Sequence, residues 1–201
     1  MTDAELINLI IEGDNSLFDI LIRKWQNPIY NFALRYLGSA DLAFDITQKT
    51  FLRVYENIRK LKEADRFSPW IYRIAANLCM DELKKMNRQN ILSLDHIQED
   101  NVTKGKQLPD CLIIPAQKEP DARMNKKQVT SLVRKALGLL PDEQRIVIIM
   151  KEYQGLKFRE IADALDEPLS TVKSRMYYGL KALRDVFKNW KITEEVLNNE
   201  M

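Results

Sequence analysis

From Thr2 to about Arg88 the apolar residues recur at steps of three and four: Leu6, Leu9 and Ile10, then Phe18, Leu21, Ile22 and Trp25, then Leu42, Ile46, Val54, Ile58 and Leu61. That spacing lines up one side of an α-helix, so the segment predicts a succession of amphipathic helices. Gly38-Ser39 interrupts the pattern, and Asp41 is placed to start the next helix. In FSPWIYRIAANLCMDELKKM the period continues through Trp70, Ile71, Ile74, Ala75, Leu78, Leu83 and Met86. Ser68 is the predicted N-cap there, with Pro69 in the first turn. Trp70 and Ile74 carry this stripe and are expected in the core.

Between about Asn90 and Arg123 neither a helical nor a strand period is sustained, and Pro109, Pro115, Pro120 and the polar run QEDNVTKGKQ fall there. This reads as a flexible linker over residues 91–124, which at about 3.3 Å per residue could span roughly 100 Å. The domains it joins need not touch. Helical period returns with Val129, Leu132, Val133, Ala136, Leu137 and Leu140, and Pro141-Asp142 opens a helix that Gln154-Gly155 breaks. KFREIADAL and LSTVKSRMYYGLKALRDVF follow, separated by Asp166-Glu167-Pro168. No strand alternation longer than a few residues occurs. The expected fold is therefore all-α: two small helical domains, 1–90 and 125–190, and a tail, 191–201.

Composition narrows the chemistry. The 201 residues are 45% hydrophobic and 30% charged, so the chain is globular, and 31 basic against 29 acidic residues leave a net charge of +2. Any affinity for nucleic acid must come from local clustering. No apolar run is long enough to span a membrane and the start MTDAELINLI lacks the flanks of a signal peptide, so no membrane insertion and a cytoplasmic location are expected. Cys79 and Cys111 are far apart, and His96 is the only histidine and falls in the linker. Neither a metal site nor a nucleophile–base set follows, and the expectation is no cofactor and no enzymatic activity.

The strongest chemical signal lies near the C-terminus. A short helix, a tight turn and a longer helix make a helix-turn-helix where a small residue allows close crossing. Ala162 sits at that position, Val172 plugs the core, and Ile161 and Leu165 complete the inner face. Asp166 holds the turn, where positive φ is common and Asp tolerates it. Ser170 or Thr171 would cap the second helix and turn its N-terminus toward phosphate. Lys173 and Ser174 then project from the first turn, with Tyr177 one turn on and Val172 and Met176 facing inward. First-turn residues of a helix in a major groove meet base edges, while Arg175, Lys181, Arg184 and Lys188 supply charge for phosphates. A solvated cationic helix face is the alternative.

FREIADALDEPLSTVKSRMYYGLKAL, preceded by LPDEQRIVIIMKEYQGL, resembles the promoter-recognition domain of the extracytoplasmic-function (ECF) group of sigma-70 family sigma factors. DLAFDITQKTFLRVYENI and RFSPWIYRIAANLCMDELKK resemble the same family's N-terminal module, in the right order. The resemblance implies a transcription initiation factor whose partners are core RNA polymerase, promoter DNA and an anti-sigma factor. It implies upstream-element contacts from Lys151, Lys173, Ser174, Tyr177 and Tyr178, joined by Ser170, Thr171, Arg175 and Lys181. Many relatives carry a basic residue where Tyr178 stands. A tyrosine can donate to phosphate or pack on a thymine methyl, but it cannot neutralise charge.

On the helix expected from Asp41, the polar positions Asp41, Asp45, Gln48, Tyr55 and Arg59 share one side, and spacing alone leaves open a solvated face or a docking face. The resemblance assigns Asp41, Asp45, Gln48 and Tyr55 to polymerase. Opening a duplex without ATP hydrolysis trades base stacking for aromatic and cationic protein contacts. The resemblance places Asn57, Leu61 and Lys62 at a loop receiving a flipped base of the downstream element, with Phe67, Tyr72, Arg73 and Asn77 lining the next segment and Lys84 extending a basic edge. The rival is a helix-turn-helix regulator acting on DNA without polymerase.

Overall fold

In a computed structural model, residues 1–94 and 126–190 are described, and the regular elements among them are helices alone. The proposed tail, His96, Cys111 and almost all of the proposed linker lie outside the described residues.

α1 (Asp3–Glu12) opens with a capping box in which the Thr2 side chain accepts from Glu5 N–H and Glu5 accepts from Thr2 N–H. α2 (Phe18–Leu37) ends at Gly38, whose φ of 76° closes the helix in the left-handed region. Ser39 caps α3 (Ala40–Asn57), so Asp41 falls inside the first turn, one residue later than a helix start. α4 runs Phe67–Leu94 and continues without a break from a 3₁₀ turn at Ala64–Arg66. Ser68 is therefore a first-turn residue and not the N-cap. Pro69 remains compatible, because first-turn N–H groups have no intrahelical partner to lose. The helix also extends four residues beyond the boundary at 90.

The C-terminal half contains α5 (Lys126–Gly138), α6 (Asp142–Ile148), a π-helical turn (Ile149–Tyr153), α7 (Phe158–Leu165) and α8 (Leu169–Asn189). Asp166 joins α7 to the turn with φ 55° and ψ 42°, as its residue type allows. Pro168 precedes α8 and no side chain caps it, so neither Ser170 nor Thr171 is the cap. Both are first-turn residues, because the extended Pro168 lets the helix begin earlier. On α7 the enclosed residues are Ile161 and Ala164; Ala162 is half-buried and lines a cleft shared with Arg66 and Arg73. Gly179 marks a close helix crossing: a Cβ there would lie 2.7 Å from Ile148 Cδ1 and 3.2 Å from Gln144 Cβ.

The two halves touch, although the linker length did not require it. α4 packs against α2 and α3 on one side and against α7 on another. Tyr72 Oη donates to Gln154 Oε1 at 2.6 Å, the Arg145 guanidinium lies 4.7 Å from the Tyr36 ring centroid, and Arg35 lies 4.4 Å from that of Tyr153. Burial pushes the Tyr36 phenol up to about 12 and raises that of Tyr72, so both stay protonated donors. Burial likewise pushes the Cys79 thiol up to about 12, which leaves it an inert core side chain at neutral pH.

Candidate nucleic-acid and polymerase interfaces

α8 has two faces set by its period. Val172, Met176 and Gly179 are buried, while Ser170, Lys173, Ser174, Tyr177, Lys181, Arg184 and Lys188 follow one another along the exposed side at three- and four-residue steps. Tyr177 is 67% exposed and meets Tyr178 edge to face, with ring centroids 5.4 Å apart. This is an open row of hydroxyl, ammonium and aromatic groups beginning at a helix N-terminus whose N–H groups point outward.

Three upstream candidates do not join that row freely. Arg175 Nη2 donates to Glu167 Oε1 at 2.9 Å and is half-buried, because Glu167 lies in the turn directly beneath it. Lys151 donates from Nζ to the Leu156 carbonyl at 3.3 Å and stands over the Phe158 ring, so it braces the turn before α7. Thr171 is half-buried on the flank of the first turn.

In the N-terminal half, Leu61, Lys62 and Arg73 gather around a cleft of about 210 Å³, together with Trp70, Pro69, Arg66, Glu63 and Asp163. Arg73, Asn77 and Lys84 follow at spacings that keep them on one side of α4, and all three are exposed. Asn57 is half-buried at the end of α3, donating to the Arg53 carbonyl at 2.9 Å and accepting from Lys60 at 2.8 Å.

Phe67 and Tyr72 are corrections. They are 1% and 3% exposed and lie in an aromatic cluster, with Trp25 5.4 Å from Phe67 and 5.9 Å from Tyr72, and Phe32 5.5 Å from Tyr72. Their expected place on a DNA-lining surface fails because α4 is covered on two sides, and the residues needed to fill the second side come from outside the predicted stripe. Trp70 moves the other way. Expected in the core, it is half-buried and walls the cleft.

On α3 the four polymerase candidates Asp41, Asp45, Gln48 and Tyr55 are all exposed. Phe44 and Leu52 stand exposed among them, at 57% and 59%. Positions 41, 44, 45, 48, 52 and 55 form one helical stripe. Two large apolar side chains therefore stand uncovered within the polar row. Sequence reading passed over both, although their three- and four-residue offsets from Asp41 and Gln48 were available. Tyr55 is fixed by an edge-to-face contact with Phe18 at 5.2 Å.

Family models match the chain twice: Sigma-70 region 2 over residues 21–89 and Sigma-70 region 4 over residues 130–183. The chain is similar to the ECF RNA polymerase sigma factor SigW of Bacillus subtilis, 32% identical over 178 residues, with 89% of this chain and 92% of the relative covered. It is 28% identical over 184 residues to the ECF RNA polymerase sigma-E factor of Salmonella typhimurium, covering 91% and 93%. Its fold resembles the sigma factor RpoE solved with the anti-sigma factor NepR from Bartonella quintana, at a TM-score of 0.63 and 21% identity, covering 85% of this chain and 96% of that one. The region 2 match leaves the stand-alone helix-turn-helix regulator unsupported. The chain belongs to the extracytoplasmic-function sigma factors of the sigma-70 family, transcription initiation factors that bind core RNA polymerase and direct it to promoters.

Proposed function

We propose that residues 1–90 dock on polymerase through the α3 stripe and open the downstream promoter element at the Leu61–Lys62–Trp70–Arg73 cleft, while residues 125–190 read the upstream element with α8. The observation that carries this is the exposed row Ser170, Lys173, Ser174, Tyr177 and Lys181 on the side of α8 opposite its buried Val172, Met176 and Gly179. Lys173 reaches guanine acceptors, Ser174 meets either base type, and Lys181 with Arg184 and Lys188 answers phosphates. Residues 91–124 connect the two functions.

The protein acts by binding and not by bond-making chemistry. Promoter opening on this reading is an exchange of base stacking for contacts with Trp70, Lys62 and Arg73. Its partners are core polymerase and promoter DNA in the cytoplasm, and an anti-sigma factor of the class bound to the Bartonella relative holds it until it is needed. Run-off transcription with core polymerase on promoter fragments tests the reading. Specific initiation is expected only when the protein is added; tight sequence-specific DNA binding without polymerase and no initiation with it would overturn it.

A further inference from the structure

α1 lies before residue 21, where the region 2 match begins, yet it packs on the turns that build one wall of the cleft. Its chief packing partner is the 3₁₀ turn Ala64–Arg66, and it also meets the 3₁₀ turn Ile58–Lys60. Between those turns the backbone is extended, with φ −72° and ψ 110° at Leu61 and φ −127° and ψ 103° at Glu63. Leu61, Lys62, Glu63 and Arg66 all line the cleft.

This wall has little backbone bonding of its own. Leu61 N–H donates to the Ile58 carbonyl at 3.1 Å and Arg66 N–H to the Glu63 carbonyl at 3.0 Å, and each bond stays within one turn. Such turns are short and have poor hydrogen-bond geometry, so their placement depends on what they pack against. Leu6, Ile7 and Ile10 are the buried residues of α1, at offsets that make one helical stripe. With ten residues α1 is too short to hold its shape alone in water. It is fastened by the Thr2–Glu5 capping box and by Lys24 of α2, whose Nζ lies 2.7 Å from Asp3 Oδ1. The polar and apolar residues of the α3 stripe are exposed, so this buried contact is separate from it.

We propose that α1 is a positioning element for promoter opening: Ile7, with Leu6 and Ile10, holds the turns over 58–66 so that Leu61, Lys62 and Arg66 stand ready as one wall of the cleft. The proposal rests on assigning the cleft to the downstream element, as above. α1 itself touches no DNA. A wall in place before DNA arrives removes the entropy cost of ordering it during opening. A loosened wall slows opening and leaves docking on polymerase unchanged.

The test uses the full-length protein with core polymerase and compares wild type, Ile7→Ala, Ile7→Leu, Thr2→Ala/Lys24→Ala and a control cavity in α2, Ile29→Ala. Two templates carry the promoter from which the wild-type protein initiates in run-off transcription, one fully duplex and one mismatched so that the downstream element is already open. Ile7→Ala and Thr2→Ala/Lys24→Ala should lower initiation about tenfold on the duplex and less than about twofold on the pre-opened template, with core-polymerase affinity by surface plasmon resonance unchanged. Ile7→Leu, which refills the site, and Ile29→Ala should keep the wild-type ratio between templates. Equal losses on both templates would overturn the proposal, because they report the folded fraction alone. A selective loss in Ile29→Ala would overturn it too, since any core cavity would then do the same. If Lys62→Ala/Arg73→Ala initiates on the duplex as wild type does, the fault lies in assigning the cleft to the downstream element.

Discussion

Tyr72 donates its phenolic hydrogen to Gln154 Oε1 at 2.6 Å, bridging residues 82 apart in the chain and belonging to different domains. Replacing Tyr72 by Phe keeps the aromatic cluster with Trp25 and Phe32 but leaves the Gln154 acceptor without this donor. The change should cost about 0.5–1.5 kcal/mol in urea unfolding of the full chain, with initiation retained in run-off transcription. Loss of initiation at unchanged stability would return Tyr72 to the DNA surface.

Tyr36 and Tyr72 also predict an alkaline limit. Burial raises both phenols, to about 12 for Tyr36, above the ordinary value of 10.0 that the unfolded chain recovers. Above that ordinary value the folded state holds more protons than the unfolded one, so stability is full below pH 10 and falls as pH rises toward 12. Denaturant midpoints measured across this range should decline, and Tyr36→Phe should flatten the decline.

Lys173 and Arg175 are two residues apart on α8 yet should respond differently. Lys173→Ala and Ser174→Ala each remove a proposed base contact and should cost about 1–3 kcal/mol on the cognate upstream element. An equal loss on all upstream sequences would show phosphate contact only. Arg175→Ala breaks the pair with Glu167 and should lower stability while leaving sequence preference unchanged, as thermal melts and competition binding would register.

Phe44 and Leu52 are exposed on the α3 stripe, so removing their side chains should not harm folding. Phe44→Ala/Leu52→Ala should weaken binding to core polymerase by about 2 kcal/mol or more at an unchanged melting temperature. Surface plasmon resonance on immobilised core enzyme measures the first and calorimetry the second.

Gly179 sets the approach of α8 to α6. Gly179→Leu would drive side-chain atoms into Ile148 and Gln144, and the overpacking should destabilise the fold by about 1–3 kcal/mol. Upstream DNA binding should fall with the folded fraction and not through lost contacts.

Much of the site was legible because a helix displays its faces by period. Lys173, Ser174 and Tyr177 lie outward and Val172 and Met176 inward, as a 3.6-residue repeat with one buried side requires. Helix starts shifted by one or two residues at Ser39, Phe67 and Leu169, because preceding turns and an extended proline decide where backbone bonding begins. Phe67 and Tyr72 lie deeper than expected for a different reason. A single apolar stripe predicts one buried side, whereas α4 is covered on two, and which helix supplies the second cover is not written locally.

By itself the sequence determined the all-α class, the two helical units and which side chains of α8 face outward, all of which depend on residue type at short spacing. Only the tertiary structure decided that Arg73 answers Asp166, that Arg175 is held by Glu167, that Trp70 walls a cleft, and that Phe44 and Leu52 stay uncovered. These are relations between side chains brought together by packing, and helical period carries no information about which partner arrives.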